Sequence, residues 1–399
     1  MKPPRVSFDE ALSIIAATRI ELGCETLETA RANGRILAAP LFAQTDSPPF
    51  DMSAMDGYAI GADYVAGTEQ RRLRLGEPLF AGMAPLPLEA GAARPIFTGA
   101  AVPHGTGAVL VQERAILDHD TLLLAEPLIS GSNIRRAGED ARAGDKVLES
   151  GRRIHPATIG ALHAYGIMHV PVRARPRVAM LILGDEIGGS EARAIPDSNG
   201  PMIAAMLADA GCDVLPLVPV DDNERAITEA FDRHLDAGAD IILSTGGASV
   251  GAKDFLRRSV EAIGATILFH GVHMRPGKPV LFATSRKGVP IFGLPGNPAA
   301  ALVAARFFVM AAIRIANGRG PEAPLHVDQD SREPGPLRVL KAHARRAFGG
   351  VEVKQLPGQE SHRLRPLLQA NSWWLRGGGR PAMLFPLFDR LEDDGETGP

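Results

Sequence analysis

The stretch that decides the fold is residues 239–264, ADIILSTGGASVGAKDFLRRSVEAIG. It opens with a short apolar run that is typical of a buried strand. A glycine-rich turn, STGGASVG (244–251), follows, and FLRRSVEAIG (255–264) then has the apolar spacing of an amphipathic helix. A strand that leads through a tight turn into a helix predicts one βαβ step of a mostly parallel sheet.

The same alternation continues on both sides of this stretch. Further strands are predicted at RVAMLIL (177–183), DVLPLVPV (213–220), ATILFH (265–270), PVLFA (279–283) and VPIFG (289–293). Helices are predicted at DSNGPMIAAMLADAG (197–211), NERAITEAFDRHLDAG (223–238) and PAAALVAARFFVMAAIRIA (298–316). The pattern therefore predicts an α/β unit from about 177 to about 320, with helices on both faces of its sheet.

The flanking regions have a different texture. Residues 7–22 predict a helix with Ser7 as its N-cap and Glu10 as the capping-box partner, and residues 25–38 a second helix or a strand–helix element. Residues 41–150 and the region after 320 alternate short apolar runs with Gly and Pro, which indicates β-rich modules. Within the second region, KAHARR (341–346) predicts a solvated edge strand.

Composition excludes several classes of protein. The 399 residues carry 43 Lys+Arg against 46 Asp+Glu, a formal net charge of -3, which argues against nucleic-acid binding by bulk electrostatics. The two cysteines, Cys24 and Cys212, cannot form a disulfide framework and suit a reducing compartment; we expect both to be buried. The first 15 residues lack the apolar core of a signal peptide, and the longest apolar stretch, 299–313, is short for a bilayer. We therefore expect a cytoplasmic protein that does not span a membrane.

Ligand chemistry is expected beyond the carboxyl ends of the strands, where open parallel sheets bind their ligands. Gly246, Gly247 and Gly251 would let backbone N–H groups turn toward a phosphate or another oxyanion ahead of a helix. The loop is neither a Walker A motif nor GxGxxG. An ordinary tight turn explains the glycines about equally well.

Charged residues follow the same strand ends. Asp185, Glu186, Asp221 and Asp254 would repel a bound anion unless a divalent cation such as Mg²⁺ lay between them, although each Asp alone is more simply a helix cap. Arg275 and Lys278 flank Pro276-Gly277, which suits oxyanion capture or a solvated turn. Asn297 suits a helix cap or an amide that contacts a base or sugar.

In this combination the chain resembles the molybdopterin molybdenumtransferase family, which is related to the gephyrin E domain and shares its central domain with the molybdopterin adenylyltransferases. The matching segments occur in family order: SPPFDMSAMDGYA (47–59), FTGAAVP (97–103), NIRRAGED (133–140), GDE (184–186), IPDSN (195–199), STGGASVGAKD (244–254), MRPGKP (274–279) and LPGNP (294–298). GQESHRLRPLLQAN (358–371) is a weaker match.

The resemblance implies a transferase of molybdenum cofactor biosynthesis. Its substrates would be adenylylated molybdopterin and molybdate, its product AMP besides the metallated pterin, and its cofactor Mg²⁺. It further implies an elongated homodimer in which the β-rich module of one subunit completes the site of the other. Molybdopterin adenylyltransferase and apo-molybdoenzymes are the implied further partners, with neither nucleic acid nor membrane involved.

Site residues carry over at matching positions. The resemblance implies catalytic roles for Asp56, Thr98, Asp140, Glu186 and Asp254, and metal ligation by Glu186, Asp221 and Asp254. Contacts to the pterin, nucleotide or molybdate would come from Asp185, Asp221, Ser244, Gly246, Gly247, Ser249, Gly251, Arg275, Lys278, Pro295, Asn297 and Pro298.

The implied fold is a multi-domain one of α/β and β classes. A central three-layer α/β molybdopterin-binding domain with a mostly parallel sheet would be joined by a β-rich N-terminal module and a small β-barrel-like C-terminal domain. The expected boundaries are 1–25 for a helix packed on the central domain, 26–45 with 141–175 for a discontinuous α/β linker domain, 46–140 for the β-rich module, 176–322 for the central domain, 323–390 for the C-terminal domain and 391–399 for an acidic tail.

Four positions depart from the family pattern. Ile182-Leu183 replaces a Ser-Thr pair, Met52 an Asn, and Arg275 a Lys. Two other hypotheses stay open. The shared central-domain motifs also suit an adenylyl-transfer or hydrolytic enzyme acting on the same pterin or another adenylate, although FDMSAMDGYA (50–59) favours the transferase. Loss of two hydroxyls that could touch phosphate suggests instead a non-catalytic cofactor-binding or scaffold protein.

Overall fold

The computed structural model describes residues 4–65, 70–85, 87–184, 187, 195–247, 254–325, 327, 332–347 and 350–387. The chain divides into two compact units, Thr26–Val172 and Met1–Glu25 with Arg173–Pro399. The second unit begins with helix α1, Phe8–Ala17. The predicted capping box is confirmed: the Ser7 hydroxyl accepts from the Glu10 N–H, and the Glu10 carboxylate accepts from the Ser7 N–H.

The unit Thr26–Val172 is rich in strands. Its elements are β1 Cys24–Glu28, β2 Leu41–Phe42, β3 Met52–Ser53, β4 Gly57–Gly61, α2 Ala62–Val65, β5 Arg71–Leu75, β6 Ala92–Ile96, β7 Thr106–Val111, β8 Ile116–Asp118, β9 Thr121–Leu124, β10 Ile134–Arg135, β11 Lys146–Leu148, α3 Pro156–Ala164 and β12 His169–Arg173. Six strands form one sheet in the order β7-β4-β6-β5-β9-β8, and the pairs β1-β12, β3-β10 and β2-β11 stand apart from it.

The predicted α/β unit follows. Its elements are β13 Arg177–Leu183, α4 Asn199–Asp209, β14 Asp213–Val214, β15 Val218–Val220, α5 Glu224–Asp236, β16 Ile241–Thr245, α6 Phe255–Ala262, β17 Thr266–His270, β18 Met274–Arg275, β19 Leu281–Thr284, β20 Pro290–Leu294, α7 Pro298–Ala304 and α8 Met310–Ala316. The sheet order is β14-β13-β16-β20-β19-β17, and β15 pairs with β13.

The sheet is mostly parallel, as predicted. β13, β14, β15, β16 and β20 pair in parallel, whereas β19 pairs antiparallel with both β20 and β17. β17 therefore runs in the direction of the parallel strands. Helices cover both faces, which accounts for β13 and β16 being continuously apolar and buried. The carboxyl ends of β13, β16, β17 and β20 consequently share one edge.

The apolar C-terminal helix of this unit belongs to the protein core. α7 and α8 are joined by a π-helical segment, Ala305–Val309, so that 298–316 is one helix of 19 residues, longer than the apolar stretch expected at 299–313. By length and composition this helix could cross a membrane, but 78% of its apolar 18-residue stretch is buried inside the protein. α1 packs against it, with the Phe8 and Phe307 ring centroids 5.5 Å apart.

The C-terminal strands form a sheet of their own. β21 Leu337–Ala347, β22 Gly350–Gln355, β23 Ser372–Arg376 and β24 Met383–Pro386 pair antiparallel. β18 joins the sheet by parallel pairing with β21. The C-terminal sheet is thereby joined to the α/β unit at Met274 and Arg275.

Four expectations are corrected in detail. DVLPLVPV is two strands rather than one, because Pro216 between them has no N–H to donate to a ladder. Of the two alternatives for residues 25–38, the strand–helix element is the one found, although its helix is a single 3₁₀ turn, Thr29–Arg31. KAHARR is a solvated edge only in its second half: Lys341 is buried in a part of β21 that pairs with β23, whereas 343–346 pairs with β22 alone and exposes Arg345 and Arg346. Cys24 is exposed; only Cys212 is buried.

Candidate active site

Glycine turns close the carboxyl edge of the central sheet. Gly246 follows β16 with φ +87°, and a Cβ there would lie 2.7 Å from the Leu183 carbonyl oxygen. A Cβ on Gly296, after β20, would lie 3.9 Å from the Gly246 Cα. The two turns are therefore in contact, and only glycine fits at Gly246.

The amide of Gly246 is not free to hold a phosphate. Its N–H donates to the Leu294 carbonyl at 3.1 Å and so extends the β16–β20 ladder. Gly247 has φ +70°, and a Cβ there would lie 2.9 Å from the Leu183 Cδ1. These two glycines thus shape a tight turn, and of their two amides that of Gly246 is used within the sheet.

Four buried polar atoms at this end of the unit have no hydrogen-bond partner: Ser244 Oγ, Thr245 Oγ1, Asn199 Oδ1 and Asp254 Oδ1. Ser244 and Thr245 are the last two residues of β16 and alternate between the faces of the sheet. Buried polar atoms are nearly always paired in folded proteins, so four unpaired atoms at one end of the unit require an explanation. A bound polar ligand supplies one.

Asn199 is a site residue that was absent from the predicted set, although it ends the quoted segment IPDSN. It is the first residue of α4 and is 5% exposed. Its Nδ2 donates to the Gly296 carbonyl at 2.7 Å, which fixes the amide and leaves Oδ1 without a partner. The side chain thus links α4 to the turn after β20.

Asp254 stands at the N-cap position of α6, but its side chain makes no capping hydrogen bond. Its Oδ2 accepts from the Arg257 Nε at 3.0 Å, and Oδ1 is the buried orphan. Helix capping therefore does not account for this carboxylate. Arg257 in turn reaches Glu261 at 2.8 Å, and both carboxylates raise the pKa of its guanidinium.

Asp221 follows β15 and is exposed. The cap of α5 is Asn223, whose side chain accepts from the Ala226 N–H at 2.9 Å, so Asp221 is not needed for capping. In the described part of the chain, no three His, Cys, Asp or Glu side chains stand together as metal ligands. Glu186, the third predicted Mg²⁺ ligand beside Asp221 and Asp254, lies outside the described residues, so the Mg²⁺ site stays a prediction.

Asn297 does not cap its helix through its side chain either. Its Nδ2 donates to the Ser361 Oγ at 3.2 Å, while the Ala299 N–H donates to the Ser361 carbonyl at 3.0 Å. Pro298 opens α7, and Pro295 is buried in the turn before it. The C-terminal segment 358–371 thus reaches the carboxyl edge at Ser361, a contact signalled in the sequence only by the weaker family match.

Arg275 and Lys278 lie on the exposed side of one turn. Neither side chain enters a hydrogen bond or ion pair within the described ranges, so both cations are available to an anion. Gly277 between them has φ +97° and packs its Cα beside Met274 and Val303. The turn therefore holds two cations on a rigid backbone.

The Ile182-Leu183 pair is part of the core. Both side chains are nearly fully buried, at 4% and 2% exposure. A Cβ on Gly200 would lie 3.0 Å from the Ile182 Cδ1, and Leu183 packs against Gly247. The two apolar side chains therefore fill space directly beneath α4 and the glycine turn.

In the unit Thr26–Val172, two predicted residues meet. The Asp56 Oδ1 accepts from both the Thr98 N–H and the Thr98 hydroxyl, each at 2.7 Å. The backbone N–H and then the hydroxyl lower the pKa of Asp56, because both stabilise the carboxylate. Gly57 is required beside it, since a Cβ there would lie 2.0 Å from the Leu110 carbonyl oxygen.

Asp140 lies on a different turn of this unit and is exposed. Its Oδ2 accepts from the Tyr165 hydroxyl at 3.2 Å, and its N–H donates to the Ser47 carbonyl at 3.0 Å. Nearby, Asp51 accepts from the Ala137 N–H at 2.8 Å and from Arg136 at 2.5 Å, which together lower the pKa of Asp51. Hydrogen bonding thus orders the 133–140 turn around carboxylates.

Four predicted site residues, Asp185, Glu186, Ser249 and Gly251, lie outside the described residues. Of the remaining predicted residues, the turns bring Gly246, Ser244 and Asn297 to one edge of the central sheet, and hydrogen bonds join Asp56 to Thr98. Thr245, Asn199 and Ser361 were missed, because a hydroxyl or amide carries no strong signal of its own in a sequence.

Comparison with known proteins agrees with this organisation. Residues 6–166 match the MoeA N-terminal region (domain I and II), and residues 179–315 match the probable molybdopterin binding domain. A Staphylococcus aureus molybdopterin molybdenumtransferase is 31% identical over 392 residues, covering 94% of this chain and 92% of its own. A Nostoc protein of the same name is 36% identical over 304 residues, covering 74% and 70%.

Solved structures show the same fold. A molybdopterin biosynthesis MoeA protein from Pyrococcus horikoshii superposes with a TM-score of 0.78 at 27% identity, covering 96% of this chain and 100% of its own. The expected multi-domain fold of α/β and β classes is confirmed. With both family regions matched in order and relatives aligned over nearly the whole length, the chain belongs to the molybdopterin molybdenumtransferase family.

Proposed function

We propose that this transferase inserts molybdate into adenylylated molybdopterin and releases AMP. The observation that carries the proposal is the set of buried, unpartnered polar atoms at the carboxyl edge: Asn199 Oδ1, Ser244 Oγ, Thr245 Oγ1 and Asp254 Oδ1. Two hydroxyls that can donate or accept, with two oxygens that accept, suit a ligand that is polar along its length. A pterin joined to a phosphoanhydride is such a ligand.

The anionic parts of the substrates need donors. Arg275 and Lys278 are exposed cations on one rigid turn and would attract molybdate or the pterin phosphate. Amides from Gly247 through Ser249 to Gly251, ahead of α6, would add N–H donors. Asn297, Pro295 and Pro298 would form the adjoining wall of the pocket.

Mg²⁺ is the metal that the family implies. The buried, unpartnered Asp254 Oδ1 suits a cation, because a lone carboxylate oxygen shielded from water is otherwise costly. We propose Glu186 and Asp221, with Asp185 nearby, as the other protein donors. When bound, Mg²⁺ would polarise the phosphoanhydride bond that is cleaved as AMP leaves. Asp254 itself is oriented by Arg257 through Oδ2, which leaves Oδ1 without a protein partner.

The remaining assignments concern the assembly. We propose a homodimer in which Asp56, Thr98 and Asp140 of one subunit complete the site of the other, working in the cytoplasm and passing product to apo-molybdoenzymes. The lowered pKa of Asp56 keeps this carboxylate charged for a role as a hydrogen-bond acceptor. We also propose the six-part domain division predicted from the sequence. The substrate would be supplied by a molybdopterin adenylyltransferase.

The experiment supplies adenylylated molybdopterin, molybdate and Mg²⁺, and measures AMP release together with reconstitution of an apo-molybdoenzyme. We expect both with the wild-type protein, and at least a tenfold loss for Glu186→Ala and Asp56→Ala without a change in melting temperature. Asp209→Ala, an exposed residue near the end of α4, is the matched control.

Three other results would contradict the proposal. Binding of the pterin without AMP release would indicate a cofactor-binding or scaffold protein. AMP release without reconstitution would indicate a hydrolytic enzyme. Formation of adenylylated molybdopterin from ATP would indicate the adenylyltransferase reaction.

A further inference from the structure

Lys341 is a buried lysine that no predicted site includes. It lies in the middle of β21 and is 1% exposed. Its Nζ donates to three backbone carbonyls, those of Gly358 at 3.0 Å, Glu360 at 2.9 Å and Arg363 at 3.0 Å. An ammonium group has three protons, so these three acceptors satisfy it completely.

The surroundings of Lys341 explain how its charge is tolerated. Burial lowers the pKa of the ammonium, and the nearby Glu360 acts in the opposite direction. Moving an ammonium out of water is costly unless polar partners replace the water. The carbonyls are those partners, so the 356–363 loop has to keep its shape for the lysine to stay buried.

Gln359 closes the same loop from the other side. Its Oε1 accepts from the Lys341 N–H at 2.8 Å, and its Nε2 donates to the carbonyls of Lys341 at 2.9 Å and Leu356 at 2.7 Å. The loop is therefore joined to one strand residue by both its backbone and its ammonium group.

The outer side of the loop meets the carboxyl edge of the central sheet. Ser361, between two of the carbonyls that Lys341 holds, accepts from the Asn297 Nδ2 at 3.2 Å and from the Ala299 N–H at 3.0 Å. Asn297 adjoins Gly296, whose carbonyl accepts from the Asn199 Nδ2 at 2.7 Å. Hydrogen bonds thus lead from the loop that Lys341 holds, through Ser361 and Asn297, to the turn after β20.

We propose that Lys341 is a positioning residue for the transferase reaction. It holds the 356–363 loop so that Ser361 fixes the Asn297 turn in the geometry that the substrate needs, and it touches no substrate itself. The inference rests on the proposed function, because that function places the reaction at this edge. Removing the ammonium would leave three carbonyls without a donor, and they would turn toward water.

The test compares Lys341→Met with Lys354→Met. Methionine keeps most of the side-chain volume but has no proton to donate, and Lys354 is an exposed lysine on the adjacent strand β22. Two readouts are needed: amide hydrogen exchange across 356–363, and kcat and KM for AMP release measured well below the melting temperature. For Lys341→Met we expect about tenfold faster exchange in the loop and about tenfold lower kcat/KM. Lys354→Met should match the wild type in both.

A double-mutant cycle separates positioning from stability. Ser361→Ala alone should lower kcat/KM, and Lys341→Met combined with Ser361→Ala should be hardly worse than Lys341→Met alone, because both act through one loop. Additive effects would overturn the inference, and so would a Lys341→Met protein with a loosened loop and normal kinetics. If Lys341→Met does not fold, Gln359→Met takes its place with the same expected results.

The outcomes keep the two proposals apart. Normal AMP release by the wild type, by Lys341→Met and by Ser361→Ala would overturn the positioning role and leave the proposed function standing. Absence of AMP release from the wild type would contradict the proposed function and the positioning role with it.

Discussion

At the scale of single residues, the Asp56–Thr98 contact joins two chain segments through one carboxylate oxygen. Both donors come from Thr98, so the electrostatic state of Asp56 depends on one neighbour. The backbone N–H remains in any variant, whereas the hydroxyl can be removed. This allows its effect on the carboxylate to be measured separately.

Thr98→Val removes the hydroxyl and keeps the side-chain shape. The pKa of Asp56 should rise toward its ordinary value, because one of the two hydrogen bonds that stabilise the charged form is lost. If the Asp56 carboxylate is needed in its charged form, the acidic limb of the kcat/KM profile moves to higher pH. Activity at low pH then falls severalfold while the neutral plateau changes less.

The pKa itself is measured by NMR titration of the Asp56 carboxyl carbon, in parallel with the pH–rate profile. Thr98→Ser retains a hydroxyl and should leave both curves close to the wild type. An acidic limb that does not move in Thr98→Val, with a measured rise in the Asp56 pKa, would show that this carboxylate does not control the rate.

The two cysteines differ sharply in reactivity. Cys24 is exposed, whereas burial raises the pKa of the Cys212 thiol to about 12. Since the thiolate is the reactive form, Cys212 should be inert at neutral pH. We expect a maleimide or disulfide reagent to label Cys24 in the native protein and both thiols after unfolding. Labelling of Cys212 in native protein, located by mass spectrometry, would contradict this.

At the scale of elements, the helix 298–316 carries a charge in its π-helical segment. Arg306 is 5% exposed and forms two hydrogen bonds of 2.7 Å to the Glu322 carboxylate. It also donates to the carbonyls of Pro386 and Leu387, each at 3.2 Å. The helix is thereby fastened to the end of the C-terminal sheet as well as to the chain that leaves α8.

Arg306→Met should destabilise the protein strongly. Removing one member of a buried ion pair costs about 3–5 kcal/mol, since the other is left without its partner. The melting temperature and the urea midpoint measure the loss. Arg225→Met, which removes an exposed pair with Glu229 on α5, is the control and should change the midpoint little. Equal effects of the two changes would contradict a buried role for Arg306.

Elements with a strong period were predictable, and long-range polar contacts were not. The apolar run 177–183 predicts a buried strand and the amphipathic spacing of α5 predicts a helix, each from neighbouring residues alone. The burial of Lys341 depends on a loop up to 22 residues away in the chain, and the link from Asn297 to Ser361 spans 64 residues. The sequence therefore predicted that Lys341 in KAHARR would be exposed to solvent, because the carbonyls that accept from its ammonium group cannot be recognised in a sequence.

The same division holds for the candidate site. The glycines in STGGASVG and LPGNP predicted tight turns. The turns at Gly246 and Gly296 lie close together because they follow two adjacent parallel strands. Which Asp acts as a cap could not be read from the sequence, because Asp, Ser and Asn all suit that position. The structure decides it by hydrogen bonds: Asn223 caps α5, while the side chains of Asp254 and Asn297 bond elsewhere.

At the scale of the whole molecule, the net charge of -3 does not distinguish exposed ion pairs from buried charged side chains. Many ion pairs on the surface, such as Arg225–Glu229, are well exposed and contribute little. Lys341 and Arg306 are instead buried against carbonyls and a carboxylate. Arg275 and Lys278 are exposed and form no ion pair with another described residue. Overall charge thus describes the surface and says little about the site.

Sharing of the site between subunits can be tested by complementation. In a closed two-fold dimer each interface residue acts twice, so Asp56→Ala and Glu186→Ala homodimers would each have two defective sites. A mixed dimer would place both changes in one site and leave the other intact. Random mixing gives half mixed dimers, so activity should return to about a quarter of the wild-type value.

The mixture is prepared by co-expression with two different tags, and the doubly tagged dimer is isolated before AMP release is measured. Isolated mixed dimers should reach about half of wild-type activity. The control is a doubly tagged dimer in which both subunits carry Asp56→Ala; both sites then stay defective and little activity returns. Inactivity of the Asp56→Ala and Glu186→Ala mixed dimer would show that these two residues act within one subunit.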